Sequence, residues 1–316
     1  MTNRVAVIDL GTNTFHLLIA EPGQSYFFTE LLHKSEAVKL GEGGINDGVI
    51  RPDAYQRGIA AMNKFQQYIL QYNVQQVKAL ATSAMRSATN GQQFIDEVKA
   101  QTGIQIGIIL GDTEAQYIYQ GVKASNCLQA DNSLIVDIGG GSVELIIGNN
   151  EHITYKQSFE IGAARLMALF HQTDPIPPSS IQDLYAHLDN HLQPMLAAVA
   201  RNSVINLIGS SGAFETFAEL AERDKGYDFE LKQNQVYTFN EQDFLKITNR
   251  LIQSSHDERL SMKGIIPVRI DMIVVASLIT CYLLEKLQIK EVVMTAYSLK
   301  EGVLASMLNQ QVLNKL

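Results

Sequence analysis

The sequence predicts an α/β protein in which one unit, a mixed β-sheet flanked by helices, is used twice. Three observations carry this. Apolar β-rich runs and amphipathic helical stretches alternate in two rounds along the 316 residues. Each round opens on the same hairpin, VIDLGTNTFHLLIA at 7–20 and IVDIGGGSVELIIG at 135–148. Sliding the chain over itself by 128 residues also brings Thr82-Ser83-Ala84 onto Ser210-Ser211-Gly212, so two separate segments match at one offset.

In the first round, residues 4–10, 15–20 and 25–32 read as strands rich in Val, Ile, Leu, Phe and Tyr, broken at GTNT and EPGQ. Tyr55, Ile59, Met62, Phe65, Ile69 and Tyr72 recur at helical spacing behind Pro52 and Asp53, which predicts an amphipathic helix. A strand at 77–84, a helix at 91–101, a strand at 104–110 and a helix at 112–123 complete the order βββαβαβα. In the second round, strands are expected at 133–138, 143–148 and 152–159, followed by a helix over 179–200. VINLIG (204–209) is a strand that runs into the helix of SSGAFETFAELAE. Helices at 241–253 and 271–287, a strand at 291–296 and a closing helix from Leu299 end the chain, while 224–240 reads as a loop. Two domains are expected, 1–128 and 129–316, with the closing helix free to pack back on the first lobe.

The repeated hairpin has a chemical logic. Glycine turns leave backbone N–H groups exposed and let a ligand approach closely. Small residues at 12–14 and 140–142 keep the surface open and add hydroxyl donors, which suits phosphate oxygens. Asp9 and Asp137 precede the turns, where a carboxylate can hold a hydrated divalent cation that also touches phosphate. If the lobes face each other, the two aspartates converge on one cleft. At ~5 Å and an effective dielectric of ~20 they would repel by about 3 kcal/mol, a penalty that a cation removes. One copy alone could equally be a tight turn whose Asp accepts turn amides; two copies in matched context favour the clamp.

Composition narrows the function classes. Charged residues make up 18% and hydrophobic ones 46%, ordinary for a soluble globular protein. Net charge is −8, with 10 Lys/Arg against 11 Asp/Glu in 1–128 and 15 against 22 in 129–316. No basic run occurs, so general electrostatic binding to nucleic acid is not expected. The longest apolar stretch, Met272 to Leu284, is too short to span a bilayer, and the N-terminus lacks a signal-peptide pattern. Cys127 and Cys281 form no disulfide framework or metal spacing, consistent with a cytoplasmic protein.

VAVIDLGTNTFHLLIA, ALATSAMRSATN, GDTEAQYIYQGV, LIVDIGGGSVELIIG and SLKEG, in that order, resemble the signatures of the exopolyphosphatase/guanosine pentaphosphate phosphohydrolase (Ppx/GppA) family, in its short two-domain form. The resemblance implies two ribonuclease-H-like lobes of the actin, sugar-kinase and chaperone-ATPase superfamily around an interdomain cleft. It implies catalytic roles for Glu114, which would activate the attacking water, and for Arg86 on phosphate. It implies phosphate binding by Gly11, Thr12, Asn13, Thr14, Gly139, Gly140, Gly141 and Ser142, with Ser211 and Gly212 in a further small-residue turn. Asp9, Asp137 and Glu144 match positions tied to Mg²⁺ or Mn²⁺. His16, Thr113, Gln116 and Lys300 depart from the family pattern, which weakens cationic positions more than the chemistry.

The expected function is release of terminal orthophosphate from polyphosphate or guanosine pentaphosphate, without membrane or nucleic-acid partners; a homodimer is compatible with it. The alternatives are an ATPase or kinase of the same superfamily, or a non-catalytic polyphosphate or alarmone binder. His187 and His191, four apart on a predicted helix, read as surface residues. His256-Asp257 lacks the further ligands of a metal phosphohydrolase site. Arg269 and Asp271 read as an ion pair or cap.

Overall fold

The computed structural model describes residues 3–23 and 28–313. The chain divides into two compact units, Met1–Ala124 with Leu299–Leu316, and Ser125–Ser298. The chain leaves the first unit after Ala124 and rejoins it at Leu299.

The first unit contains β1 (Val5–Leu10), β2 (Phe15–Pro22), β3 (Phe28–Glu36), α1 (Pro52–Gln71), β4 (Gln76–Ala81), α2 (Ser83–Ser87), α3 (Gly91–Thr102), β5 (Ile106–Ile108) and α4 (Gly111–Ala124). Its sheet runs β3-β2-β1-β4-β5, antiparallel across β3-β2-β1 and parallel across β1-β4-β5. Residues 25–27 of the expected third strand lie outside the described residues, and that strand extends to Glu36 instead of ending at residue 32. Pro52 in the first turn and the acidic Asp53 start α1, whose stripe of Ile59, Met62, Phe65 and Ile69 is buried against the sheet. The expected strand over 77–84 stops at Ala81, because Ser83 already turns into α2.

The second unit contains β6 (Asn132–Ile138), β7 (Val143–Gly148), β8 (Ile153–Phe159), α5 (Ala163–Phe170), α6 (Pro178–His191), α7 (Gln193–Val199), β9 (Val204–Ser210), α8 (Gly212–Asp224), β10 (Val236–Thr238), α9 (Glu241–Gln253), α10 (His256–Ser261), a 3-10 turn at Pro267–Arg269, α11 (Met272–Leu287) and β11 (Glu291–Thr295). Its sheet runs β10-β11-β9-β6-β7-β8. Apart from the antiparallel edge strand β10, pairings and directions repeat those of the first unit, the ribonuclease-H-like arrangement. The helix expected over 179–200 is two helices: Leu192 ends α6, and Pro194 sits in the first turn of α7, where its missing N–H costs nothing. The stretch read as a loop, 224–240, contains β10. α11 is buried on nearly every side, which is why it shows a continuous apolar run rather than a stripe.

The last helix, α12 (Leu299–Leu313), belongs to the first unit and packs on α4 and β1. A Cβ on Gly302 would lie 1.8 Å from the Tyr117 carbonyl oxygen and 2.9 Å from the Gly121 nitrogen. The two helices thus cross backbone against backbone, and the crossing fixes α4. No helix among the described residues is long and apolar enough to cross a membrane.

Candidate active site

In each unit the parallel strands end at a common level. Leu10, Ala81 and Ile108 share one register row in the first sheet, and Asp137, Ser210 and Thr295 share one in the second. From those carboxyl ends emerge the first glycine turn, the Thr82–Arg86 segment and the start of α4 in one unit. The second glycine turn, Ser211-Gly212 and the 296–298 segment emerge in the other. Open α/β sheets bind ligands at such edges.

In the first turn, Gly11 N–H donates to the Thr14 carbonyl at 3.2 Å. The carbonyls of Thr12 and Asn13 accept from Gly41 N–H at 3.1 Å and from Lys39 N–H at 2.7 Å. Across a trans peptide the C=O and the following N–H point in opposite directions. The Asn13 and Thr14 N–H groups are therefore turned away from the 39–41 segment. A Cβ on Gly41 would lie 2.6 Å from the Thr12 methyl, so only glycine lets the segment close on the turn without displacing that side chain. The segment itself is held by Arg57, whose Nε donates to the Val38 carbonyl at 2.7 Å.

Beside this turn stand the two residues expected to act on substrate. The Thr82 backbone N–H donates to the Leu10 carbonyl at 3.4 Å, tying the start of α2 to the end of β1. Arg86, in α2, donates from Nη1 to Glu114 Oε2 at 3.0 Å and to the Ile109 carbonyl at 3.1 Å. Glu114 lies in the first turn of α4, where the helix dipole favours a carboxylate. Its side chain is 9% exposed and that of Arg86 18%. Burial without the arginine would leave a costly lone charge, so the pair is electrostatically matched. Asp9 faces His16 directly across the β1–β2 ladder, and His16 Nδ1 shares a hydrogen bond with the Ser35 hydroxyl at 2.9 Å.

The second turn repeats the first with different supports. Gly139 N–H donates to the Ser142 carbonyl at 3.0 Å. The Gly139 and Gly140 carbonyls accept from Ala163 and Ala164 N–H, both at 2.9 Å, and the Gly141 carbonyl accepts from Gly162 N–H at 3.3 Å and Arg165 Nε at 2.8 Å. The opening of α5 thus spends its otherwise unpaired N–H groups on the back of the turn. Gly140, Gly141 and Ser142 N–H groups face the other way. A Cβ on Gly162 would sit 2.4 Å from the Gly141 carbonyl carbon, backbone against backbone. Sequence reasoning missed Gly41, Gly162, Arg165 and α5; the visible signals were the glycines themselves, Gly41 just before Gly43-Gly44 and Gly162 between Ile161 and Ala163.

The hydroxyl expected to face a ligand at Ser142 is used internally. Ser142 Oγ donates to Glu144 Oε1 at 2.7 Å, as does Ser158 Oγ at 2.6 Å. Glu144 is 2% exposed. Asp137, Glu144 and Ser158 stand directly across from one another on β6, β7 and β8, with Ser210 next to Asp137 on β9. Ser210 Oγ donates to Asp137 Oδ2 at 3.0 Å and lies 3.1 Å from the Tyr297 carbonyl. Ser211 has φ +51° and Gly212 φ +50°, a strained junction into α8. Its hydroxyl donates to Glu215 Oε1 at 3.0 Å, and Glu215 pairs with Arg269 at 2.9 Å.

No cluster of three or more His, Cys, Asp or Glu side chains gathers into a metal cage among the described residues. The donor set is carboxylates and hydroxyls, hard oxygens that suit Mg²⁺ in its usual mode of one or two carboxylates plus water and substrate phosphate. Asp9 in the first unit and Asp137 in the second, each taken by itself, are carboxylates of the kind that mode uses. Glu144, with two serine hydroxyls on one oxygen, orders the row beside Asp137.

The remaining candidates have structural partners. His187 and His191 stack at 3.9 Å, and burial, then the charge of His191, pulls the His187 imidazole below its usual pKa. His256 Nδ1 lies 2.7 Å from Asp271 Oδ1 and Arg269 pairs with Glu215, so Arg269 and Asp271 have partners other than each other. Burial pushes up the thiols of both half-buried cysteines.

Residues 18–311 match the model of the Ppx/GppA phosphatase family. The chain is 38% identical to an exopolyphosphatase from Cytophaga hutchinsonii, with TM-score 0.94 over 98% of each chain. An exopolyphosphatase-like protein is 25% identical with TM-score 0.90, covering 98% of this chain and 99% of that one. The fold is shared with an Aquifex aeolicus Ppx/GppA family member at 24% identity and TM-score 0.81, over 98% and 99% of the chains.

Proposed function

Because this chain belongs to the Ppx/GppA phosphatase family, we propose that it releases terminal orthophosphate from inorganic polyphosphate and from guanosine pentaphosphate. The observation that carries this is the partly buried Arg86–Glu114 pair at the sheet edge from which the first glycine turn also leaves. Phosphoanhydride hydrolysis is limited by charge repulsion and alignment, so positioning and charge stabilisation do most of the work.

The N–H groups of the turns take phosphate oxygens. A phosphate entering beside Arg86 competes for the guanidinium, whose planar fork suits it, and so frees the Glu114 carboxylate. Glu114 then takes a proton from water as the water oxygen bonds to the terminal phosphorus. The bridging P–O bond breaks, and its electron pair leaves on the shortened chain. Asp9 in the first unit and Asp137 in the second are each a carboxylate that would hold Mg²⁺ or Mn²⁺, which would supply charge neutralisation to phosphate oxygens at its own turn.

The test is phosphate release from polyphosphate, guanosine pentaphosphate and ATP, side by side, by wild type and Glu114→Gln. Wild type is expected to favour the first two over ATP, and the variant to lose about 10²–10⁴-fold in kcat with its fold intact. Preference for ATP, or near-normal turnover by the variant, would refute the reading.

A further inference from the structure

We propose that Arg57 and Arg165 are positioning residues which strengthen, from behind, the equivalent N–H donor of each glycine turn. This rests on the reading of the turns as phosphate cradles. In the second unit the connection is direct. Arg165 Nε donates to the Gly141 carbonyl at 2.8 Å, and the same peptide carries the Ser142 N–H on its other side. In the first unit it runs through one more peptide. Arg57 Nε donates to the Val38 carbonyl at 2.7 Å; that peptide's N–H, on Lys39, donates to the Asn13 carbonyl at 2.7 Å; and that peptide carries the Thr14 N–H.

Thr14 and Ser142 occupy the same place in the repeat, 128 residues apart. Two arginines from unrelated positions, one in α1 and one in α5, thus converge on the same peptide of the two turns. Each is also anchored by a carboxylate: Arg57 by Glu42 and Arg165 by Glu160, both at 2.7 Å. Hydrogen-bonded peptides polarise one another, and a formal charge at the head of the chain adds to the effect. The device gives a turn a stronger anion-binding N–H while the guanidinium itself bonds the far side of the peptide chain.

The test uses the whole protein and inorganic phosphate as probe, with Arg57→Met, Arg165→Met and their Lys counterparts, which keep a cation if the Met variants fold poorly. The ¹⁵N shift of an amide follows the hydrogen bond accepted by the preceding carbonyl. Arg165→Met is expected to move the Ser142 amide resonance and leave Thr14 in place. Arg57→Met is expected to move Lys39 and Thr14 and leave Ser142 in place. In each, the phosphate dissociation constant should rise about three- to tenfold. Glu42→Gln and Glu160→Gln, which keep the guanidinium–carbonyl bonds, should leave both amides unmoved. Unmoved amides in the arginine variants, or collective movement of the whole turn with loss of amide protection, would overturn the proposal. Should the wild type bind no phosphate, the cradle reading fails while the amide shifts still decide whether the relay exists.

Discussion

The two units share a sheet and a turn but differ in what stands behind and beside the turn. In the first unit the turn is backed by an irregular segment, 39–41, and flanked by the partly buried Arg86–Glu114 pair. In the second it is backed by the opening of α5 and flanked by a row of hydroxyls and carboxylates, Ser210, Asp137, Glu144 and Ser158. The duplicated fold therefore supplies two donor cradles, while a charge pair suited to moving a proton occurs beside the first turn. The helices that follow the last parallel strands make the same point. α4, after β5, carries Glu114; α12, after β11, returns to the first unit and braces α4 through Gly302.

The sharpest way to break this asymmetry is to neutralise a glutamate in each unit. Glu114→Gln should cost about 10²–10⁴-fold in kcat if it acts as the proposed general base. Glu144→Gln removes a charge that takes two serine hydroxyls and should act mainly on substrate or metal affinity, with a loss of about tenfold or less, the scale of one perturbed hydrogen bond. Steady-state kinetics on both variants checks this. Equal kcat losses would mean that the division of labour drawn here is wrong.

A smaller effect separates the two backings. Gly162→Ala forces a methyl into the peptides of Gly140 and Gly141, rigid atoms, and should destabilise by about 1–3 kcal/mol while weakening phosphate binding. Gly41→Ala meets the Thr12 methyl at 2.6 Å and Ile45 Cδ1 at 3.3 Å, which can rotate aside, and the fixed Ile45 Cβ only at 3.2 Å, so its cost should be below that. Thermal melts and phosphate titration of the two variants compare them. A Gly41→Ala cost equal to that of Gly162→Ala would show the irregular segment to be as stiff as a helix start.

These contrasts also mark what the sequence could and could not reveal. Both hairpins, the strand row and the family motifs were legible, because periodicity and a fixed offset survive in the letters. Glu114 and Arg86 were singled out through motif resemblance, and a helix from 112 was expected, but α2 was not, nor that the two side chains pair, since 28 residues separate them. α5 was missed for a plain reason. Its eight residues are too few to show a period, and its task here is done by backbone N–H groups, which leave no side-chain signature. The bond from the Ser142 hydroxyl to Glu144, two residues on, was not legible, because it depends on side-chain geometry that spacing alone does not record. α6 and α7 were fused because the apolar spacing continues through Leu192, although Pro194 was there to be read.

The smallest expected difference is in acid, and it too divides the units. Asp174 sits in the second unit against Arg259, whose side chain is fully buried. Burial alone would raise the Asp174 carboxyl, but hydrogen bonds from Arg259 and His171, the Arg259 charge and the His256 backbone N–H together hold it below its ordinary value of 3.8. The neighbouring Asp271 bonds His256, and Glu258, also lowered by the Ser255 backbone and hydroxyl, repels Asp174. A carboxyl depressed in the folded state contributes stability that is present above its unfolded pKa and lost as pH falls through the folded value. Acidification below about pH 4 should therefore withdraw a partner from the buried guanidinium of Arg259 and loosen α10 and the 171–174 segment. Hydrogen exchange followed from pH 6 to pH 3 should show protection lost there before it is lost around α1 and β4 of the first unit. The variant Asp174→Asn should lose that pH dependence and begin from the loosened state already at pH 6. Protection that fades first in the first unit would instead place the acid-sensitive link on the other side of the repeat.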